Sequence, residues 1–319
     1  MRTVVIRQRP SIGDCLLLSP LIGQLKSKYD SKVTVITDSR YLCGALPTIF
    51  EGIPGVDRVE CIDSREWTTE SNRRVDPDLF GAATEPLPHT VKVADLVLDC
   101  NAAFMEFERE YNGHTPYGIA HFWLEHHGLY TRGVNLLPQY SVNPDKQADA
   151  DEWLAANNPK NKPLVGIVLR AGMWARDWDF DGKSAKIAEW LHTKGCVPVG
   201  IDFIKPLSSP YGISCIGKPI DYVAGIVKRC TTILTPDTGI LHLAQAVGTP
   251  QVALWGIMPP ELRVKDYDCA VIPKQSLGYC QTPEDFKSCQ CRWTFQQWSC
   301  LRRITFRMII AGLEEALQR

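Results

Sequence analysis

Two β-branched runs separated by a helical stretch constrain the fold of this chain more than any other feature. Residues 3–7 and 32–37 are short apolar runs of strand type. Between them Pro10-Ser11-Ile12-Gly13-Asp14 reads as a turn and residues 16–26 as a helix, with Pro20 tolerable only near its first turn. Strand, helix, strand with short joints is a βαβ unit, and that crossover makes the strands parallel. Residues 59–63 and 96–99 add two further strands, and residues 118–128 read as a helix. Residues 64–92, rich in Pro, Glu, Arg and Thr, lack periodicity and read as a long loop or insertion.

The pattern then restarts. After a polar linker beginning at residues 138–144 and a short helix over 148–157, strands are predicted at 164–169, 197–201, 231–235 and 251–255. Helices are predicted at 183–194, 222–229 and 238–247. The 319 residues are enough for two domains of ordinary size. Two doubly wound α/β halves are expected to face each other across a cleft at the carboxyl ends of their strands, where open α/β sheets bind ligands. The expected domains are residues 1–145 and 146–300, with residues 301–319 forming a helix that packs back on the first domain.

Charge narrows the partners. With 35 Lys+Arg against 36 Asp+Glu, no global field draws polyanions to the surface. No apolar run approaches the roughly 18 residues of a membrane span. Met1-Arg2-Thr3 leads directly into the first strand with no targeting segment, so a cytoplasmic location is expected. Eight of the 12 cysteines (Cys15, Cys43, Cys61, Cys100, Cys196, Cys215, Cys230 and Cys269) sit singly in apolar runs, as buried thiols do in a reducing compartment.

Two short segments carry chemistry. Thr235-Pro236-Asp237-Thr238-Gly239-Ile240-Leu241-His242-Leu243-Ala244 joins a strand to a helix. Amides at a helix N-terminus, with Gly239 permitting close approach, form a diphosphate seat. His242, one turn further on the side of Thr238, is placed to donate to a phosphate or leaving-group oxygen. The plainer alternative is a capped helix, with Asp237 as N-cap and His242 a satisfied half-buried histidine. Ser11-Ile12-Gly13-Asp14 follows the first strand, so Asp14 is placed to take a proton from an incoming hydroxyl, or simply to cap the helix.

Gly13-Asp14-Cys15-Leu16-Leu17-Leu18-Ser19-Pro20-Leu21, together with Asp237-Thr238-Gly239-Ile240-Leu241-His242-Leu243-Ala244, resembles the heptosyltransferase-like family of GT-B glycosyltransferases, the lipopolysaccharide-core class of glycosyltransferase family 9. The resemblance extends over nearly the whole chain and implies a GT-B fold of two Rossmann-like domains. It implies that Asp14 is the catalytic base and that Asp237, Thr238, Gly239 and His242 bind the nucleotide diphosphate. Arg176-Asp177-Trp178 stands where the family has Lys-x-Trp, so Arg176 takes the cationic phosphate contact unless it is an ordinary surface arginine. The implied reaction is inverting transfer of a heptose-like sugar or hexose from a nucleotide-diphosphate sugar to an acceptor hydroxyl on a lipopolysaccharide, surface glycan or glycolipid. Peripheral contact with the inner membrane face goes with such an acceptor. No cofactor is implied, and no DxD-like pair calls for a divalent metal.

Three departures bear on the substrates. The stretch from Arg7 to Gly13 is one residue longer than usual, and Arg9 adds a charge beside the base. The family's acidic residue near the nucleoside is replaced around Asp221-Tyr222. The 64–92 loop, with Arg73 and Arg74, points to an unusual acceptor. The acceptor-side candidates are therefore Arg9, Ser11, Gly13, Arg73 and Arg74. The alternatives are transfer to a hydroxymethylated DNA base, a nucleotide-sugar epimerase, and a sugar-nucleotide binding module without activity. Nucleic acid is the less favoured partner at a net charge of −1. Cys280, Cys289, Cys291 and Cys300 are spaced poorly for a four-thiolate metal site, and buried thiols are favoured over a metal. Similar tail cysteines occur in some members of the family, and the resemblance implies that those of this chain hold a local loop. Trp293, Phe295 and Trp298 among them read as packing.

Overall fold

The computed structural model describes residues 1–7, 10–38, 45–62, 89–100, 118–171, 178–255, 270–271, 301 and 304–318. It divides into two compact units, Met1–Ser141 and Val142–Arg319. In chain order the first unit holds β1 (Arg2–Ile6), α1 (Ile12–Leu16), α2 (Ser19–Tyr29), β2 (Lys32–Asp38), α3 (Leu46–Glu51), β3 (Val56–Ile62), α4 (His89–Lys92), β4 (Leu96–Asp99) and α5 (Ile119–His126). The second holds α6 (Pro144–Asn157), β5 (Leu164–Val168), a single 3-10 turn Phe180–Gly182, α7 (Lys183–Thr193), β6 (Val197–Asp202), β7 (Ile213–Ile216), α8 (Ile220–Arg229), β8 (Thr232–Pro236), α9 (Gly239–Ala246), β9 (Gln251–Leu254), β10 (Ala270–Val271) and α10 (Phe306–Leu317).

Among the described residues each unit is built on one all-parallel sheet. The first has the order β3-β2-β1-β4 and the second β10-β9-β8-β5-β6-β7. Val4 lies opposite Thr34 and Val97, while Gly166 lies opposite Val199 and Ile233. All five residues of both β5 and β8 are buried, as expected of central strands covered on both faces. In each sheet the chain winds outward and then returns to the other side of its first strand. The reversal falls between β1 and β4 in the first unit and between β5 and β8 in the second. At such a reversal the loops leave in opposite directions and open a crevice at the strands' carboxyl ends.

Local chemistry moves several boundaries from those expected. Residues 10–14 are not all turn: Ser11 caps α1, so Gly13 and Asp14 lie inside its first turn. The helix expected over 16–26 is two pieces, and Pro20 falls in the first turn of α2, where its missing N–H costs nothing. Residues 144–147 are helix, not linker, because Asn143 accepts from the amides of Asp145 and Lys146, and Pro144 opens α6. On α8, Gly225 lets α6 approach closely; a Cβ there would lie 2.9 Å from that of Ala150.

The C-terminal helix requires a correction. Expected to pack back on the first domain, it groups with the second unit. Ile309, Leu313 and Ala316 join Leu234, Val252, Leu254 and Ile187 in one apolar cluster, so the stripe read from the sequence covers the second sheet. Lys183 Nζ donates to the Ile304 carbonyl at 2.9 Å and fastens the segment ahead of the helix. Leu313 is fully buried, and Leu313→Ala should cost about 2–5 kcal/mol, read as a lower denaturant midpoint with unchanged slope.

Candidate active site

In the second unit β8 ends at Pro236, and Asp237 and Thr238 carry the chain into α9 at the sheet's reversal point. Asp237 is not the N-cap. Thr238 holds that position with extended backbone (φ −143°, ψ 171°), and its side chain makes no capping hydrogen bond. The Thr238 hydroxyl instead lies 3.1 Å from that of Thr235, which itself donates to the Pro236 carbonyl at 2.8 Å. The threonine is thereby turned away from the first-turn amides it would otherwise cap, leaving this helix end suited to an anion. Gly239 is the first helical residue. Asp237 is buried, and His242 is buried rather than half-buried, with 3% of its surface exposed. The two therefore belong to the wall of the site more than to its mouth.

The neighbouring strand ends add groups that sequence reasoning missed. Arg170, just beyond β5, donates to both Asp202 carboxylate oxygens from Nε and Nη2 at 3.0 and 2.8 Å. Asp202 closes β6 and also accepts from the amides of Ile204 and Lys205 at 2.8 and 2.9 Å. Burial works to raise this carboxyl, but Arg170 and the two amides outweigh it and hold it below its ordinary range. Across the strand ends Trp178 donates its indole N–H to the Val168 carbonyl at 2.8 Å. Arg176 lies outside the described residues. Asp221 stands in the first turn of α8, after β7.

In the first unit Asp14 follows β1 at that sheet's own reversal point. It is the third residue of α1 and completes a capping box: Ser11 Oγ accepts from the Asp14 amide, and Asp14 Oδ2 accepts from the Ser11 amide at 3.1 Å. Ser11 Oγ lies 2.9 Å from the same oxygen. Arg7, buried at the end of β1, brings its Nη2 to 3.8 Å from Asp14 Oδ2 and its guanidinium to 6.0 Å from the centre of the Trp123 ring. Gly13 is buried within the same turn.

Beyond β4, Cys100 Sγ lies 3.7 Å from His127 Nε2. Burial pushes the Cys100 thiol up to about 12. Burial first, and His126 second, lowers His127 to about 4. Both partners are thus neutral at physiological pH, which is not the thiolate–imidazolium state of a nucleophilic cysteine.

The acceptor-side candidates Arg9, Arg73 and Arg74 lie outside the described residues, as do Cys280, Cys289, Cys291 and Cys300. A hollow of about 450 Å³ lined by Asp151, Leu164, Arg229 and Thr231 lies at the amino ends of β5 and β8, the opposite edge from Thr238. Its Arg229 is paired with Asp151, at 2.6 and 2.7 Å.

The model of glycosyltransferase family 9 (heptosyltransferase) matches residues 219–268, the stretch that contains α8, β8, α9 and β9. Lipooligosaccharide heptosyltransferase 2 of Haemophilus influenzae is 27% identical over 143 residues. The chain resembles glycosyltransferase family 9 in sequence and in fold. The aligned stretch spans 40% of this chain and 41% of the Haemophilus protein, so the match covers less than half of that relative's length. The glycosyl transferase family 9 structure from Veillonella parvula superposes with a TM-score of 0.75 at 16% identity, covering 99% of this chain and 97% of that one. The ADP-heptose lipopolysaccharide heptosyltransferase II of E. coli gives 0.65 at 16% identity, over 100% and 99%. These likenesses show the fold: α/β, two Rossmann-like units of the GT-B class. No helix among the described residues is long and apolar enough to cross a membrane.

Proposed function

We propose that the chain is an inverting, metal-independent glycosyltransferase that moves a heptose-like sugar or hexose from a nucleotide-diphosphate sugar to an acceptor hydroxyl of a lipopolysaccharide or surface glycan. The observation that carries this reading is the Asp237-Thr238-Gly239 junction. It pairs an N-terminus without a side-chain cap with the sheet's reversal point, inside the segment that matches the family. In this reading the second unit holds the donor. The diphosphate rests on the first-turn amides of α9, with Thr238, His242 and Arg176 as the groups that meet its growing charge. The heptosyltransferase relatives support a donor of the ADP-heptose kind. The acceptor's glycolipid nature also makes peripheral contact with the inner membrane face part of the proposal.

The first unit supplies the base. The acceptor hydroxyl gives its proton to the Asp14 carboxylate, and its oxygen forms the new bond to the anomeric carbon. The bond from that carbon to the diphosphate oxygen breaks, and the electron pair leaves with the nucleoside diphosphate. Attack opposite the leaving group inverts the configuration.

Thermal unfolding with nucleoside diphosphates tests the donor half. ADP at about 100 times its Kd should stabilise the folded chain by about 2.7 kcal/mol, with or without EDTA. No rise in Tm with any nucleoside diphosphate would remove the donor site, and a rise abolished by EDTA would remove metal independence.

A further inference from the structure

Arg7 is a cation with little access to water, and its position calls for a chemical reason. It extends the β1 ladder by one residue, its amide donating to the Ile36 carbonyl at 2.9 Å, so its backbone is fixed by the sheet. Only 5% of its surface is exposed. Burying a guanidinium costs several kcal/mol unless opposite charge and hydrogen bonds compensate it. The Asp14 carboxylate lies 3.8 Å away, with 16% of its side chain exposed.

We propose that Arg7 is a positioning residue that holds the Asp14 carboxylate ionised and oriented for proton transfer. The inference rests on the reading of Asp14 as the base. Three donors converge on one oxygen, Oδ2: the Ser11 amide, the Ser11 hydroxyl and, from farther off, Arg7. At 3.8 Å the guanidinium lies beyond ordinary hydrogen-bond length, so it stabilises the negative charge without tying the oxygen into a tight bidentate pair. The Trp123 ring centre lies 6.0 Å from the guanidinium carbon.

The elements at this corner carry other ionisable groups, among them Asp38, buried at the end of β2. Cys15, next along α1, is buried and its thiol is pushed well up, first by burial and then by Asp14, while Arg7 works against the rise. From β4, Asp99 and Cys100 lie within the field of this corner, Cys100 feeling both Arg7 and Asp99. His127, after α5, is held neutral by burial. Arg7 is thus the one described cation on these elements set against the Asp14 carboxylate within ion-pair distance.

Carboxyl 13C NMR titration of the full chain, with the Asp14 resonance assigned by its loss in D14N, tests the proposal without knowledge of the acceptor. R7M should raise the Asp14 midpoint by about one pH unit or more, and R7K should return it to near the wild-type value. An unchanged midpoint in R7M overturns the proposal. If R7M does not fold, the neutral variant R7Q is read by the same criterion. Transfer from ADP-heptose to heptose-free lipopolysaccharide core separates the two readings. Loss of kcat in D14N with a moved R7M midpoint supports both. Loss in D14N with an unmoved midpoint keeps the base and removes Arg7. Full activity in D14N removes the base, whatever the titration shows.

Discussion

Asp14→Asn is expected to lower kcat for transfer by about 10²–10⁴-fold, the usual worth of a positioned general base, while nucleotide affinity stays within about twofold. Asparagine is the informative replacement because it preserves shape and can still accept from the Ser11 amide, as Oδ2 now does at 3.1 Å. The capping box and the fold of α1 should therefore survive, and a change in rate reports the missing basic charge. Alanine would mix two effects, since it also removes a capping interaction worth about 1 kcal/mol. The outcome that counts against the assignment is a D14N enzyme with wild-type kcat. A loss confined to donor binding would equally contradict it, because Asp14 lies in the first unit and α9 in the second.

The repeating strand and helix pattern was legible because parallel strands covered on both faces need near-continuous apolar runs, as in Leu164–Val168 and Thr232–Pro236. Elements without that signature escaped. Ile213–Ile216 is a short edge strand interrupted by a serine, and Leu46–Glu51 is a six-residue helix opened by a proline. The C-terminal helix shows a different limit. Its apolar stripe was plain, but a stripe does not name its partner, and only the structure assigns it to the cluster around Leu234 and Leu254.

The site was legible to a similar degree. Asp14 and the Asp237-Thr238-Gly239 string stood out because strand-to-helix turns concentrate function, and both lie at the reversal points of their sheets. Their capping roles were misread by a few residues, Ser11 and Thr238 being the true N-caps. Arg7 and the Arg170–Asp202 pair were not legible. A charged residue at the end of an apolar run looks like a boundary, and its burial depends on a partner brought in by the turn or, for Asp202, by a strand 32 residues away.

Gly239 allows the donor site to be tested apart from the fold. It lies in helical conformation as the first residue of α9 and is not among the glycines with positive φ, so its backbone does not require glycine. Where its Cβ finds room, alanine at an ordinary helical φ should leave Tm unchanged or raise stability by about 0.4–1 kcal/mol. If the glycine is kept for the close approach of a diphosphate, the added methyl must cost affinity, and Gly239→Val, which is bulkier, must cost more. Calorimetric titration with ADP should show Kd weakened by at least about tenfold in the valine variant, a loss of roughly 1.4 kcal/mol. The two readouts then move in opposite directions, which simple misfolding does not produce. Equal ADP affinity in wild type and Gly239→Val would mean that the α9 N-terminus does not hold the phosphates, and the donor would have to be sought elsewhere on the carboxyl edge of the second sheet.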